Sequence, residues 1–392
     1  GECPTCAEKA ERTGGPVALY VEHMNGIIDY VRDKGFRPIL WDDIVRRDLS
    51  RIKKLPTDVV LCYWVYATVK ETHGPRKLPE ELVKFYDIKT QNFHLYPDTL
   101  SFYPLYDFYR EHGLDVIGAP AFTPGTLVPN QDHATLNTAT WAAKTALCNG
   151  LGLINTQWAC FRVPMETGWY GVAYTAESTW LKPSLERLGF DQRFSTLTLG
   201  RPDPSLVRAM DMASMGVGVR SSLGRPLHLL HFAYMDAVIH FAGDMRERQR
   251  KGGGHVEDLD YARIFRAKLE LTVKDGKAVD ARSRLARTRQ VMKRAAKLLA
   301  SAHCRREEYE LMVGLCRLAA EFKAHRAEMV DALLVSLQTR KDLKESKRQK
   351  FAERERAFRQ RFEEAYGRFL PAAELEENLR MLFEGEMACL QD

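Results

Sequence analysis

Pro38-Ile39-Leu40-Trp41-Asp42-Asp43 is the stretch that decides the fold, a short apolar run that ends abruptly in a tryptophan and two carboxylates. The run is too short for a helix and shows no polar alternation, so it predicts a strand that is buried on both faces. Three further apolar runs of this kind follow it along the chain, at 59–64, 116–119 and 153–158. Strands of this type are typical of parallel sheets that are covered by other elements.

Helical periods alternate with these strands. Apolar residues recur at spacings of three and four, and a glycine or proline often marks the boundary. The predicted helices span 17–34, 79–86, 101–112 and 132–149, and residues 1–16 are predicted to be a loop. Four strand–helix units are half of a closed (β/α)₈ barrel, which needs eight units and about 250 residues. We therefore expect an α/β fold in which residues 1–200 form strands 5–8 of a TIM barrel, with the other half N-terminal to Gly1.

The second half of the chain has a different pattern, because strand-like runs nearly vanish after residue 200. Long helical periods replace them, and their spacing predicts antiparallel neighbours in a bundle. We expect residues 201–392 to form an all-helical C-terminal domain. Its predicted helices span 205–215, 227–249, 256–273, 278–302, 306–338, 343–367 and 371–390.

Charge is unevenly distributed along the 392 residues, whose formal net charge is +6. The segment 282–361 has 22 Lys and Arg against 10 Asp and Glu, a net of +12, so the rest of the chain has 36 against 42, a net of −6. Because the basic residues fall between apolar residues at helical spacing, we interpret them as solvated helix faces rather than a nucleic-acid interface. No apolar run reaches the roughly 18 residues that cross a bilayer, so no membrane partner is expected.

The eight cysteines show no disulfide-framework spacing. We interpret them as mainly reduced thiols, which favours an intracellular, cytoplasmic setting. Cys3-Pro4-Thr5-Cys6 is a Cys-x-x-Cys motif, but neither a second ligand pair for zinc nor a following helix in a thioredoxin-like context is evident. We therefore predict a loop without a bound metal at this motif.

The residues that end each predicted strand carry the chemistry, because the active site of a parallel barrel lies at the carboxyl ends of its strands. Three of the six tryptophans, Trp41, Trp64 and Trp158, lie at three of these four ends. Indole rings cover the apolar C–H faces of sugars, whereas carboxylates and arginines bind the hydroxyl groups. The alternative is that each tryptophan only closes the mouth of the barrel.

The ordered series of strand ends resembles the hexosaminidase D group of glycoside hydrolase family 20. The likeness covers about residues 15–200 and rests on a run of short motifs. These are Leu19-Tyr20 through Trp41-Asp42-Asp43, Trp64-Val65-Tyr66, Ala119-Pro120-Ala121-Phe122 with Gly125, Gly152 through Trp158 to Arg162, Glu177, and Gly189-Phe190-Asp191. At the last strand Ala159-Cys160-Phe161 precede Arg162, so the usual Arg-Tyr pair is altered and the role of Arg162 is open.

The resemblance implies a substrate-assisted, retaining hydrolysis of terminal N-acetylhexosamine residues, without a metal or an organic cofactor. It implies that Trp41, Trp64 and Trp158 enclose the sugar and that Tyr66 is catalytic, donating to the acetamido oxygen. Asp42, Asp43, Arg162 and Glu177 are then candidates for binding sugar hydroxyls. The family's catalytic Asp-Glu pair, in a His-x-Gly-x-Asp-Glu motif, does not occur in 1–392.

Two other functions stay open at this point. The chain could be a non-catalytic carbohydrate-binding or scaffold protein that kept the pocket wall. It could also be a helical interaction protein that acts through 282–361. The oligomeric state does not follow from the sequence.

Overall fold

The computed structural model describes most of the chain, with several gaps. The described ranges are 3–66, 103–122, 127–157, 165–181, 187–220, 226–230 and 260–391. The helix predicted at 79–86 lies outside the described residues, as does most of the one predicted at 227–249.

The chain divides into two compact units. The first comprises Gly1–Pro124, Asp132–Gln157 and Gly171–Glu186, and the second comprises Gly125–Gln131, Trp158–Tyr170 and Arg187–Asp392. The predicted boundary was residue 200, whereas the long continuous part of the second unit begins at Arg187 and includes the helix Leu188–Leu199.

A sheet of four parallel strands organises the first unit, in the order β1-β2-β3-β4. Its strands are β1 (Ile39–Trp41), β2 (Val60–Trp64), β3 (Asp115–Ala119) and β4 (Gly152–Leu153). An isolated parallel bridge between Ala121 and Thr156 extends the pairing beyond β3 and β4. All four strands were predicted, and the α/β character of this part of the chain is confirmed.

Helices flank these strands along the chain, and those at 16–33, 104–111 and 131–147 lie close to the predicted positions. The helices are α1 (Pro4–Thr13), α2 (Pro16–Asp33), α3 (Pro104–Glu111), α4 (Gln131–Leu147) and α5 (Trp169–Trp180). Short 3-10 helices occupy Val45–Arg47, Leu49–Lys54 and Met165–Gly168.

The prediction of a loop over 1–16 was wrong, because α1 fills most of it. Pro4 occupies the first turn, where its missing N–H costs nothing, and Gly14 ends the helix in the left-handed conformation with φ 95°. Ala10 is the one buried residue of this helix in the described structure, so α1 lacks the apolar period on which the prediction relied.

An aromatic cluster forms the core between the sheet and its helices. Trp141 on α4 is fully buried and stacks on Tyr103 with 3.9 Å between ring centroids. Tyr63 on β2 meets Trp141 edge to face at 5.2 Å. Gly118 on β3 makes room for this ring, since a Cβ there would lie 2.5 Å from Trp141 Cε3. Close packing of this kind tolerates few changes of volume.

The second unit is built mainly of helices. Those from residue 204 onwards agree with the predicted bounds within a few residues, whereas the helix at 188–199 was not predicted. The helices are α6 (Leu188–Leu199), α7 (Pro204–Ser214), α8 (Tyr261–Lys274), α9 (Ala278–Ala300), α10 (Glu307–Thr339), α11 (Glu345–Tyr366) and α12 (Ala372–Gln391). It is not entirely helical, because β5 (Gly218–Arg220) pairs antiparallel with β6 (Pro226–His228). Helix was predicted from 227, and the pairing contradicts it at that point. Tertiary pairing overrode the local helical pattern, as often happens in short segments.

Charged side chains lie inside the helical unit. Arg326 and Glu355 are fully buried, and the Arg326 guanidinium donates two hydrogen bonds of 2.8 Å to the two Glu355 oxygens. Glu386 pairs with Arg326 as well, and His325 Nε2 lies 2.9 Å from Glu355 Oε1. Lys323 is fully buried too, and its ammonium donates to the Ala213 carbonyl at 2.7 Å.

Several basic residues of the segment 282–361 form ion pairs between neighbouring helices. Arg282 on α9 pairs with Asp331 on α10 at 2.7 Å, and Arg361 on α11 pairs with Glu321 on α10. These pairs support the interpretation as solvated faces for the outer residues, while Lys323 and Arg326 are exceptions because they are buried. The absence of a nucleic-acid partner stays a prediction. Within the described residues, no helix is both long and apolar enough for a bilayer span.

Candidate functional site

The carboxyl ends of β1 and β2 bring two of the predicted tryptophans to one face of the sheet. Trp41 pairs in register with Cys62, and Trp64 stands two residues beyond Cys62 on the same strand. Side chains alternate between the faces of a strand, so Trp41 and Trp64 share a face. Leu40, Leu61 and Tyr63 occupy the other face and belong to the buried core with the helices.

Trp64 is held by contacts on two sides. Its ring centroid lies 5.1 Å from that of Tyr66 with an interplanar angle of 35°. The guanidinium carbon of Arg46 lies 4.2 Å from the Trp64 ring centroid, and the same guanidinium donates to the Trp64 carbonyl at 3.4 Å. A cation over an indole face stabilises the ring position by about 0.5–2 kcal/mol. Trp64 and Tyr66 are both half-buried, so each keeps part of its surface open to solvent.

Two side chains of α4 fix the backbone between these rings. The Val65 carbonyl accepts a hydrogen bond from Asn137 Nδ2 at 2.9 Å and another from Trp141 Nε1 at 3.1 Å. Asn137 Oδ1 accepts from the Ala121 N–H at 3.1 Å, which ties the end of β3 to the end of β2. Sequence reasoning missed Asn137 and Trp141. Their spacing of four on a predicted helix, with an amide and an indole on one face, was the available signal.

The adjacent carboxylates Asp42 and Asp43, which directly follow β1, point away from each other. Asp42 has no exposed surface and turns to the helical side, where the Tyr109 hydroxyl of α3 donates to its Oδ2 at 3.1 Å. Asp42 Oδ1 is buried without a hydrogen-bond partner. Asp43 is half-buried. Of the two, Asp43 is therefore the carboxylate left for a ligand on the tryptophan face.

The surroundings of Asp42 change its acidity. Burial raises the pKa of Asp42 to about 7, and the positive charge of Arg46, the Tyr109 hydroxyl and the Trp64 N–H oppose that rise only in part. A carboxyl group whose pKa is raised on folding stabilises the folded state fully below its unfolded pKa of 3.8. That contribution is lost as the pH rises through about 7.

Asp42→Asn is therefore expected to abolish a pH dependence of stability. An amide cannot ionise, so between pH 5 and pH 8 the wild-type chain should lose roughly 2–4 kcal/mol of stability relative to the variant. Urea unfolding at several pH values measures the difference. Tyr109→Phe is the matched variant. The removed hydroxyl favours the carboxylate, so the pKa of Asp42 should rise further and the same loss of stability should move to higher pH. Parallel curves for wild type and Asp42→Asn would contradict the burial argument.

The remaining predicted site residues lie elsewhere or outside the described part. Trp158 and Arg162 fall outside the described residues. Glu177 is half-buried on α5. The Thr175 hydroxyl of α5 accepts a hydrogen bond from Asn155, just after β4. Residues two apart on a helix do not share a face, so Glu177 faces away from this Asn155 contact.

A groove of about 470 Å³ opens in the second unit between α10 and α11. Leu311, Gly314 and Leu315 contribute apolar surface to it, while Glu310 and Arg361 give its lining charges of both signs. None of the predicted sugar-binding residues within the described ranges lines it.

Within the described ranges, no three His, Cys, Asp or Glu side chains are placed to hold a metal ion. The expectation that no cofactor is needed stays a prediction. Neither a protein-family model nor a curated protein matches the chain.

Proposed function

We propose that the carboxyl edge of β1–β4 is one wall of an N-acetylhexosamine pocket in a retaining β-N-acetylhexosaminidase-like glycoside hydrolase. The observation that carries the proposal is the placement of Trp41 and Trp64 on one face at adjacent strand ends, with Tyr66 packed against Trp64. In a parallel α/β protein, ligands bind beyond the carboxyl ends of the strands.

Each side chain of this wall suits one part of the sugar. The half-exposed indoles offer flat apolar faces to the C–H surface of a pyranose ring and to an acetamido methyl group. The Tyr66 hydroxyl is a donor for the acetamido oxygen. Asp43 rather than Asp42 would accept from sugar hydroxyls, because Asp42 is buried against Tyr109.

The proposed reaction uses the substrate's own amide as nucleophile. The acetamido oxygen attacks the anomeric carbon, the leaving group takes a proton, and water then opens the cyclic intermediate with overall retention. A hydroxyl donor at the amide oxygen stabilises the charge that develops there when the donor is fixed in advance. The packing of Trp64 against Tyr66 and the hydrogen bonds to the Val65 carbonyl hold this strand end in place. Because the His-x-Gly-x-Asp-Glu motif does not occur in 1–392, the acid that protonates the leaving group is proposed to lie on further strands of a (β/α)₈ barrel.

The face that carries the tryptophans supports the proposal that the sheet belongs to a barrel. Ile39 is 49% exposed and Trp41 is 39% exposed, and both lie on β1 with their side chains on that face. Parallel sheets are nearly always covered on both faces. Further strands that close a barrel would cover this one and complete the pocket.

Trp64→Ala is expected to weaken binding of N-acetylglucosamine at least tenfold, because losing one aromatic face costs about 1.5 kcal/mol. Isothermal titration calorimetry on the 392-residue chain measures the affinity. Trp180→Ala is the matched control, since that indole is 89% exposed and lies at the far end of α5.

Two results would count against the proposed function. Equal binding of glucose and N-acetylglucosamine would remove the role of the acetamido group. Turnover of a chromogenic N-acetylglucosaminide by this chain alone would contradict the placement of the general acid elsewhere. A chain that carries the proposed further barrel strands and binds the sugar but never cleaves it would favour a carbohydrate-binding protein instead.

A further inference from the structure

A pair of thiols stands at the start of α1, outside the site at the strand ends. Cys3 is the residue immediately before the helix, with extended backbone angles of φ −75° and ψ 117°. Its carbonyl accepts the first helical hydrogen bond, from the Ala7 N–H at 3.0 Å. Cys6 follows in the first turn, and both side chains are exposed and free. A helix after this motif was not evident from the sequence, but α1 begins there.

The spacing brings the two sulfur atoms to the same side of the helix. Residues three apart on a helix are neighbours, with Cβ atoms about 5–6 Å apart. A disulfide needs Cβ atoms about 3.5–4.5 Å apart, which a small change of the backbone at the helix start can supply. The residue before a helix also places its side chain over the free N–H groups of the first turn.

The helix start makes the two thiols chemically different. No cap hydrogen bond of ordinary geometry joins the Cys3 side chain to the first turn, but the nearby Cys6 N–H still lowers the pKa of Cys3, assisted by the Cys6 thiol and by Thr5. The same contact raises the pKa of Cys6, because its thiol donates toward the Cys3 sulfur. Partial positive charge at a helix N-terminus favours a thiolate in this position.

The other described cysteines differ from Cys3 in this respect. Burial raises the pKa of Cys62 and Cys316 to about 12 and that of Cys304 to about 11. Cys3 is the one cysteine in the described ranges whose pKa is lowered. An accessible thiolate beside a second thiol is the arrangement that reacts with disulfides.

We propose that Cys3 and Cys6 form a redox-active dithiol that exchanges with low-molecular-weight disulfides. The Cys3 thiolate attacks one sulfur of the disulfide, forming a mixed disulfide and releasing one thiolate. Cys6 loses its proton to solvent and attacks the Cys3 sulfur, which releases the second thiol. The net reaction converts the dithiol and one disulfide into an intramolecular Cys3–Cys6 disulfide and two thiols. Both protein sulfurs are oxidised and the small disulfide is reduced.

Zinc is the main alternative partner for a Cys-x-x-Cys motif. A structural zinc site takes four ligands, and the described residues provide no third ligand near the pair. The dithiol does not depend on the proposed glycosidase function, since neither cysteine belongs to the strand-end cluster.

Exchange with oxidised glutathione tests the proposal on the full 392-residue chain. The wild-type chain should form the intramolecular disulfide and release two equivalents of glutathione, as measured by mass spectrometry after trapping of free thiols. Cys6→Ser should stop at a stable mixed disulfide on Cys3, whereas Cys3→Ser should react at least tenfold more slowly. Both cysteines are exposed, so neither serine variant is expected to disturb folding.

Rates of alkylation provide the second readout. At pH 7, iodoacetamide should modify Cys3 at least tenfold faster than Cys304, whose half-buried thiol is the internal control. Equal rates at the two positions would overturn the proposal. A wild-type mixed disulfide that never resolves, or zinc retained by the purified chain and shielding both thiols, would overturn it as well.

Discussion

Arg326→Ala is expected to lower the free energy of unfolding of the helical unit by about 3–5 kcal/mol, the range measured when one partner of a buried ion pair is removed. Arg326 is fully buried on α10 and donates to both oxygens of Glu355, while Glu386 pairs with it from α12. The variant would leave two carboxyl groups in the interior without their cation. Burial already disfavours the charged form of Glu386 and raises its pKa to about 7.

Urea unfolding at pH 7.5, monitored by circular dichroism at 222 nm, measures the effect, with hydrogen exchange of α10 peptides to assign it to this unit. Arg282→Ala is the matched control, since Arg282 and Asp331 form a partly exposed pair that should contribute less than about 1 kcal/mol. A triple variant, Arg326→Met with Glu355→Gln and Glu386→Gln, should recover most of the loss because no buried charge remains unpaired. Equal effects of Arg326→Ala and Arg282→Ala would show that the buried network has no special role.

The interior charges mark a limit of the sequence pattern. Lys and Arg between apolar residues at helical spacing were interpreted as solvated faces, and that holds for Arg282 and Arg361 on the outside of the unit. It fails for Lys323 and Arg326, because neighbouring elements pack against most of the middle of α10 and bury both side chains. Periodicity reports which residues are apolar, but it does not report how many neighbours surround a helix.

The strands and most helix bounds were predictable because each has a strong local signal, whereas the candidate site depends on contacts between distant residues. Trp41 and Trp64 could be placed at strand ends from short apolar runs alone. For Asp42 and Asp43, the alternation of side chains along a strand indicates only that neighbours point to opposite faces. The burial of Asp42 against Tyr109 joins residues 67 positions apart, and no local pattern encodes it. Helix α1 was missed because it buries little apolar surface, although a proline at its start and a glycine at its end mark its bounds.

Trp141→Ala is expected to destabilise the first unit by about 3–5 kcal/mol, the usual cost of removing a large buried aromatic ring. The ring stacks on Tyr103, meets Tyr63 edge to face and lies against Gly118, so its loss leaves a cavity bordered by two strands and α3. Its indole N–H also donates to the Val65 carbonyl, between Trp64 and Tyr66. The substitution should therefore loosen the strand end that carries the proposed sugar wall as well as the core.

Trp141→Phe separates the two effects, because a phenyl ring keeps most of the packing but cannot donate to the Val65 carbonyl. It should cost less stability than alanine, and hydrogen exchange at residues 62–66 should still rise because one of two hydrogen bonds to that carbonyl is gone. Trp180→Ala, at an 89% exposed position, is expected to change the free energy of unfolding by less than about 0.5 kcal/mol. If Trp141→Ala and Trp180→Ala proved equally mild in urea unfolding, Trp141 would not be the centre of this core. The link from α4 to the strand end would then have to rest on Asn137 alone.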